Sequence, residues 1–423
     1  MLTSGNLSQT LHVISSISES YQQLSRILLA SIVPLSLLAL LEITIFRSIS
    51  SLPVWCKIAY VAIALMGYIG GVLAISQRGV RPIHRSAPVN FLVGWSFVSV
   101  TQKVALIIFF LIALIASSFL DPGTAYLVKL GAFILSLGLV LAMTYGLTYG
   151  KYRYVKEERD VHFDELPTDL EGLKVVHISD IHSGTWDSKD GVQKGIDLIN
   201  AQQPDLILFT GDLVNTNKDE IDPFIEQFAS LKARYGKYAI LGNHDYYGQP
   251  REKELRPFYY QDLYGKIERM GFDLILNDSR KVVIGEDTLF LAGVENWGHG
   301  RFFPKRGDLD EAFAEVPAEG FTILMSHDPS HWDLKVRKFD RKVPLTLSGH
   351  THAMQFGINL PFFKWSPVKY RYRYWMGLYE SDNEKLYVNR GFGVLGYPGR
   401  VGMSPEVTVL NLRKSNSTSS TSS

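Results

Sequence analysis

A transmembrane region of four apolar helices followed by a layered α/β domain is the fold class this 423-residue sequence predicts. Three observations predict it. Charge is divided unevenly: residues 1–150 hold 8 basic and 3 acidic side chains, whereas the remaining 273 hold 35 and 39. Four apolar stretches fall in the charge-poor part, each with a core close to the roughly 20 residues that cross a bilayer. Beyond them, short β-rich runs alternate with stretches of helical periodicity, the pattern of a layered domain with its chemistry on strand-end loops. The formal net charge of +1 therefore averages two unlike parts. It excludes a single soluble globule, and a nucleic-acid binder that relies on an overall basic field.

The apolar stretches cover residues 27–46 (with Pro34 and Glu42 inside), 58–76, a third within 91–120 whose core is 104–120, and 127–149. The first starts late and others follow, which argues against a cleaved signal peptide. With four spans, Arg26, Arg78, Arg81, Arg85, Lys103, Lys151, Arg153, Lys156 and Arg159 share one side. The other side has only Arg47 and Lys57, with Lys129 at a helix edge. The positive-inside bias then places the C-terminal domain on the cytoplasmic side of a plasma or inner membrane. The organisation reads as an N-terminal segment (1–26), a transmembrane region (27–150), a mixed-charge connector (151–170), a globular domain (171–413) and a low-complexity, disordered tail (414–423). Strands are expected at 174–178, 206–209, 238–241, 288–292, 322–325 and 345–347, and helices at 192–201 and 224–235.

Cys56 is the lone cysteine, so there is no intrachain disulfide and no Cys-rich zinc site. Any metal is left to His, Asp, Glu or Asn. Nine of the 11 histidines lie beyond residue 150, several directly after expected strands. The strand ends read Asp180-Ile181-His182, Gly211-Asp212, Gly242-Asn243-His244-Asp245, Ser326-His327-Asp328 and Gly349-His350-Thr351-His352. Loops at strand ends converge on a crevice outside the sheet. Imidazoles, carboxylates and an amide oxygen are donors for a borderline or hard dication. A spacing of two in extended backbone would point Asp180 and His182, and likewise His350 and His352, to one side. The glycine beside each block would let the chain turn tightly. His177 reads as a core residue, and His162 and His331 as surface or structural ones.

The arrangement DxH, GD, GNHD, H, GHxH resembles the calcineurin-like metallophosphoesterase superfamily over about residues 170–412. The apolar spans and Asn389-Arg390-Gly391 resemble its transmembrane subgroup, related to UDP-2,3-diacylglucosamine hydrolase-like enzymes. The resemblance implies an α/β metallophosphoesterase domain with a β-sandwich core flanked by helices, and two divalent metal ions (Mn, Fe or Zn). It assigns Asp180, His182, Asp212 and His352 to one ion and Asn243, His327 and His350 to the other, with Asp212 bridging. It makes His244 the catalytic acid or oxyanion-stabilising group. The sequence departs from the family pattern twice: GDLVN puts Asn215 where many relatives carry an Asp that pairs with the catalytic His, and Ala353-Met354 replaces a Gly pair. Asp245 and Asp328 read equally as residues that orient ligands and as turn-capping aspartates.

Residues 360–375, LPFFKWSPVKYRYRYW, interleave aromatics with Lys364, Lys369, Arg371 and Arg373. That composition suits a membrane interface, single-stranded nucleic acid or the solvent face of an edge strand. In a membrane-tethered domain the lipid reading is favoured and no nucleic-acid partner is expected. Arg390 and Arg400, in a glycine-rich stretch, are candidate phosphate clamps. Asn296, in the glycine-rich loop 293–300 that also carries His299, is a candidate substrate contact. Three functions compete: a dimetal phosphohydrolase acting on a phosphodiester or pyrophosphate of a lipid or lipid precursor, a phosphatase or nucleotide phosphodiesterase with a soluble substrate, and a non-enzymatic membrane sensor that binds metal or phosphate.

Overall fold

In the computed structural model, which describes residues 38–76, 86–300 and 303–415, each central strand of the C-terminal part is buried on both faces. Val175, Leu206 and Leu208 point into a core shared with a second sheet, while Val176, Ile178, Ile207 and Phe209 point into a helix layer. This follows from the period-two geometry of a strand with a layer on either side.

Fourteen strands are described: β1 (Val155–Phe163), β2 (Lys174–Ile178), β3 (Leu206–Phe209), β4 (Lys237–Ala239), β5 (Asp273–Leu274), β6 (Asp278–Ile284), β7 (Asp287–Gly293), β8 (Thr322–Met325), β9 (Leu345–Ser348), β10 (Ile358–Leu360), β11 (Phe363–Trp365), β12 (Gly377–Ser381), β13 (Glu384–Val388) and β14 (Glu406–Lys414). They form two mixed six-stranded sheets, ordered β1-β14-β2-β3-β4-β5 and β12-β13-β9-β8-β7-β6, and a separate β10–β11 hairpin. Ile323, Met325, Leu345, Leu347 and Tyr387 meet Val175, Leu206, Leu208 and Leu410 between the sheets. The expected strands 174–178, 206–209 and 322–325 coincide residue for residue with β2, β3 and β8.

Two departures have local causes. Within the stretch read as a connector, Val155–Phe163 is β1, paired in parallel with β14 along its whole length. Its side chains are mostly exposed, which is why its composition resembles a linker. The helix expected at 224–235 covers only Ile225–Ala229. There the Asn200 side chain donates to Ser230 O (3.2 Å) and accepts from Lys232 N (2.9 Å), drawing the chain out of helical geometry.

Among the described residues, three helices are long and apolar enough to cross a membrane: α1 (Val54–Ser76), α2 (Ala87–Ser117) and α3 (Pro122–Thr148). They contain the second expected span and most of the third and fourth. Of the first, residues 27–37 lie outside the described residues and 38–46 belong to a helix over 38–48, so a fourth spanning helix is not shown. The tail also lies outside the described residues beyond Ser415. The chain divides into two units, residues 1–65 with 99–140, and residues 66–98 with 141–423. Within the first, Ile45, Ile49, Cys56, Tyr60, Leu106 and Phe133 form an apolar cluster, and Lys103 pairs with Glu42 at 2.5 Å. Within the second, Asn90 on α2 donates to Thr185 O (3.1 Å) and Asp187 Oδ2 (3.0 Å), and Asp187 also holds Lys151 (2.7 Å) and Tyr152.

Candidate metal centre

The carboxyl ends of β2 and β3 in one sheet and of β8 and β9 in the other lie at the same end of the sandwich, and the predicted blocks meet there. Asp180, His182 and His352 form one group of donors and Asp212, His327 and His350 another, the donor atoms of each group lying within 4.8 Å of one another. His352 Nε2 is 3.1 Å from Asp180 Oδ1, and His327 Nε2 is 3.1 Å from Asp212 Oδ2. The same Asp212 oxygen is 3.5 Å from His182 Nε2, so one carboxylate reaches both groups.

Each carboxylate is held by the backbone of another block. Asp180 accepts from His350 N (2.9 Å to Oδ2), and Asp212 Oδ1 accepts from His244 N (2.8 Å). Asp245 accepts from Asp212 N, Leu213 N, Val214 N and Gly242 N, so it both caps the turns and fixes the β3 and β4 loops against each other. Asp328 accepts from Ser330 N and His299 N, capping its own turn and anchoring the 293–300 loop.

The side chains do not converge through extended backbone, as the spacing of two suggested. Asp180, His182, Asp212, His350 and His352 all have φ between 45° and 69°. Left-handed backbone costs non-glycine residues about 1–3 kcal/mol each and clusters at functional sites. Gly242 and Gly349 serve close approach, not turning: a Cβ on Gly242 would overlap the Asp212 carboxylate, and one on Gly349 would overlap Ser179 and Asp180.

The donors fit a cation. His182 Nδ1 and Nε2, His352 Nε2 and Asn243 Oδ1 are buried without a hydrogen-bond partner. Leaving such atoms unpaired costs about 1–3 kcal/mol each, a penalty that coordination would remove at Asn243 Oδ1, His352 Nε2 and one nitrogen of His182. Asn243 is oriented for this, because its Nδ2 donates to Tyr247 OH at 3.1 Å. Burial alone would push Asp212 up, but the imidazoles of His327, His244 and His182 outweigh it and hold the carboxyl well below its usual range. Burial likewise opposes charge on His327, yet the Asp212 carboxylate pushes that imidazole up to about 10. The pull that draws a proton there is the pull that draws a cation.

Comparisons with known proteins agree with this geometry. The Calcineurin-like phosphoesterase family matches residues 173–354. The uncharacterized metallophosphoesterase YkuE of Bacillus subtilis (strain 168) is 32% identical over 291 residues, covering 65% of this chain and 93% of that protein. The chain is a calcineurin-like metallophosphoesterase. An uncharacterized metallophosphoesterase of Helicobacter pylori (strain J99 / ATCC 700824) is 27% identical over 92% of this chain and 100% of its own length. The Danio rerio transmembrane protein with metallophosphoesterase domain is 29% identical over 65% of this chain, which spans 61% of that relative. The family and its membrane-bearing relatives make this chain a metal-dependent phosphohydrolase with candidate membrane spans.

Several residues of this metallophosphoesterase stand elsewhere than expected. Arg390 is 1% exposed, and it pairs with Glu406 (2.6 Å) and Glu157 (2.7 Å). Arg400 is 2% exposed and donates to the carbonyls of Arg390, Gly391, Gly393 and Met403. Both guanidinium groups are committed to the fold, which corrects their reading as phosphate clamps. Removing one partner of a buried pair leaves an uncompensated charge, so Arg390→Ala should cost about 3–5 kcal/mol. A fall in the unfolding midpoint of the detergent-solubilised chain checks this; an unchanged midpoint with raised KM would restore the clamp. Asn296 is also buried, its Nδ2 donating to Pro304 O at 2.8 Å. Beyond the 293–300 loop the chain reaches the site at Phe303, whose ring meets His350 edge-on at 5.2 Å.

The sequence reading missed Tyr372, whose hydroxyl lies 2.8 Å from His350 Nε2. Partners of this kind orient a ligand ring and tune its basicity. Tyr372→Phe should therefore lower metal affinity or activity about 10–100-fold, read by metal titration of the purified protein. Thr210 O does the same for His327 Nδ1 at 2.7 Å. His177 is a core residue, bonded to Thr210 Oγ1 and pushed down to about 4 by burial. His331 is buried and stacked on Trp297.

Proposed function

We propose that this chain is a membrane-tethered dimetal phosphohydrolase that cleaves a phosphodiester or pyrophosphate bond of a lipid or lipid precursor. The observation that carries the dimetal reading is Asp212 Oδ2, within 3.5 Å of His182 in one donor group and 3.1 Å of His327 in the other. In this reading Asp180, His182, Asp212 and His352 hold one ion and Asn243, His327 and His350 the second, with Asp212 shared. A bound divalent pair supplies charge neutralisation at the phosphoryl oxygens and a water acidic enough to attack near neutral pH.

The protein's own groups do the positioning. Donation from His244 N to Oδ1 leaves Oδ2 of Asp212 free beside His182 and His327, where it would serve both ions. His244 Nδ1 is 2.7 Å from Asn215 O, which assigns the ring proton to Nδ1 and leaves Nε2 for a phosphoryl oxygen or leaving group. The His244 ring meets His182 at 4.8 Å, beside both donor groups. Tyr247, at 4.8 Å on another side, fixes its tilt.

The decisive assay compares a soluble phosphodiester, a phosphomonoester and a lipid pyrophosphate, each with Mn²⁺, Zn²⁺, Fe²⁺ or a chelator. Turnover of the diester or lipid pyrophosphate that the chelator abolishes is expected. Preference for the monoester would favour the soluble-substrate phosphatase instead, and absence of turnover with every metal would favour the sensor. The basic loops support a cytoplasmic catalytic domain. A Cys56→Ser, Glu286→Cys chain should then react with an impermeant maleimide in inside-out vesicles and not in right-side-out ones.

A further inference from the structure

The register of the β10–β11 hairpin sorts its side chains by polarity. Ile358 opposes Trp365 and Leu360 opposes Phe363, placing four apolar groups on one face, whereas Asn359 opposes Lys364 on the other. Much of the apolar face is exposed: Trp365 is half-buried, but Ile358 is 43% exposed, Leu360 44% and Phe363 49%, and Phe362 in the turn is 86% exposed. A short hairpin with an open apolar face is a poor structure in water and marks an interaction surface.

Charge and position narrow the partner. Residues 351–379 contain Lys364, Lys369, Arg371 and Arg373 and no Asp or Glu. Aromatic and cationic residues together suit the headgroup layer of an anionic membrane. The root of the hairpin also lies close to the end of a candidate membrane span. Gln355 O and Gly357 N, at its root, bond Val401 N (2.8 Å) and Val401 O (3.0 Å). Next to Val401, Arg400 N donates to Gly146 O on α3 at 3.2 Å, and Tyr397 OH donates to Met143 O on the same helix. A Cβ on Gly146 would clash with the Arg400 carbonyl, so the loop and helix are in close contact. The chain returning from the hairpin then brings Tyr372 to His350, and Met354, 58% exposed, follows His352 by two residues.

We propose that the β10–β11 hairpin with the cationic segment 364–373 is a membrane-docking surface that seats its apolar face in the headgroup layer of an anionic bilayer. Resting on the lipid-substrate reading above, the docked hairpin places a lipid phosphoester at the mouth of the metal centre. A second protein is the poorer fit, because the surface is uniformly cationic and stands next to a membrane helix.

The test places a polarity-sensitive fluorophore at the turn, in the full-length Cys56→Ser, Phe362→Cys chain reconstituted in phosphatidylcholine–phosphatidylglycerol vesicles. Blue-shifted emission, quenched by lipids carrying a nitroxide near the headgroup, is expected. Water-like emission that the nitroxide leaves unchanged would overturn the proposal. So would blue-shifted but unquenched emission, which would put protein over the face, whether a second copy or residues 1–37. A second arm compares a Phe362→Ser, Phe363→Ser chain with the wild type on two substrates. Turnover of a lipid phosphodiester in the vesicles should fall roughly tenfold or more, since interfacial binding scales with buried apolar area, while a soluble diester is cleaved as before. Equal loss on both substrates would indicate a structural role and overturn the docking assignment. A quenched probe without any lipid turnover would uphold docking and refute the lipid substrate, so the two readings fail separately.

Discussion

Asp212→Ala is expected to lower kcat/KM for a phosphodiester by roughly 10³-fold or more, which corresponds to about 4 kcal/mol of lost transition-state stabilisation. The size follows from the two contacts of a single oxygen, 3.5 Å from His182 and 3.1 Å from His327. Losing any other donor weakens one group, whereas losing Asp212 removes the negative charge that both share. Two dications about 3.5–4 Å apart repel strongly unless a carboxylate lies between them. The metal content of the purified variant should therefore fall together with its activity. Asp212→Asn separates charge from packing, because an amide oxygen can still accept from His244 N and leave the β3 and β4 loops in place. Its activity should fall nearly as far while its unfolding midpoint stays close to that of the wild type. A variant that retains activity within about tenfold of the wild type, with full metal content, would remove the dimetal mechanism.

The donor set was legible because it depends on residue types that strand ends display locally. His, Asp and Asn after short apolar runs are visible in the string, and β2, β3 and β8 begin and end where the apolar runs do. What was not legible depends on partners distant in sequence. Arg390 stands in a glycine-rich loop and resembles an anion clamp until Glu157, 233 residues away, and Glu406 are seen to bracket it. Tyr372 was one aromatic among many in a cationic stretch, and only the fold brings its hydroxyl to His350. The left-handed backbone at Asp180, His182, His350 and His352 is only weakly signalled, since Asp and His adopt it more often than most non-glycine residues but still rarely. Those conformations are held by contacts between blocks, such as His350 N on the Asp180 carboxylate. The exposed side of β1 mimics a linker because only its pairing with β14 makes it a strand.

His244→Ala should lower kcat by about 10²–10⁴-fold, the range for a positioned acid or base, with metal content unchanged. The structure revises which atom of Asn215 meets its ring. The departure GDLVN suggested that an Asn215 side chain replaces a carboxylate partner, but the contact is made by the Asn215 backbone carbonyl, 2.7 Å from Nδ1. The Asn215 Oδ1 is buried and has no hydrogen-bond partner. Asn215→Ala should accordingly keep kcat near the wild-type value, which a side-chain partnership would not allow. A carbonyl fixes the tautomer without adding the charge that a carboxylate would place beside an imidazolium. With Nδ1 committed to that carbonyl, Nε2 is the atom left for the phosphate or its leaving group, and the imidazolium form would donate a hydrogen bond or proton there. The loss in His244→Ala should then be larger for an alkyl ester, whose alkoxide needs protonation, than for a nitrophenyl ester, whose phenolate does not. Equal losses on both esters would assign His244 to phosphoryl-oxygen stabilisation alone, and a drop in bound metal would make it a structural support of Asp212 through its backbone N–H.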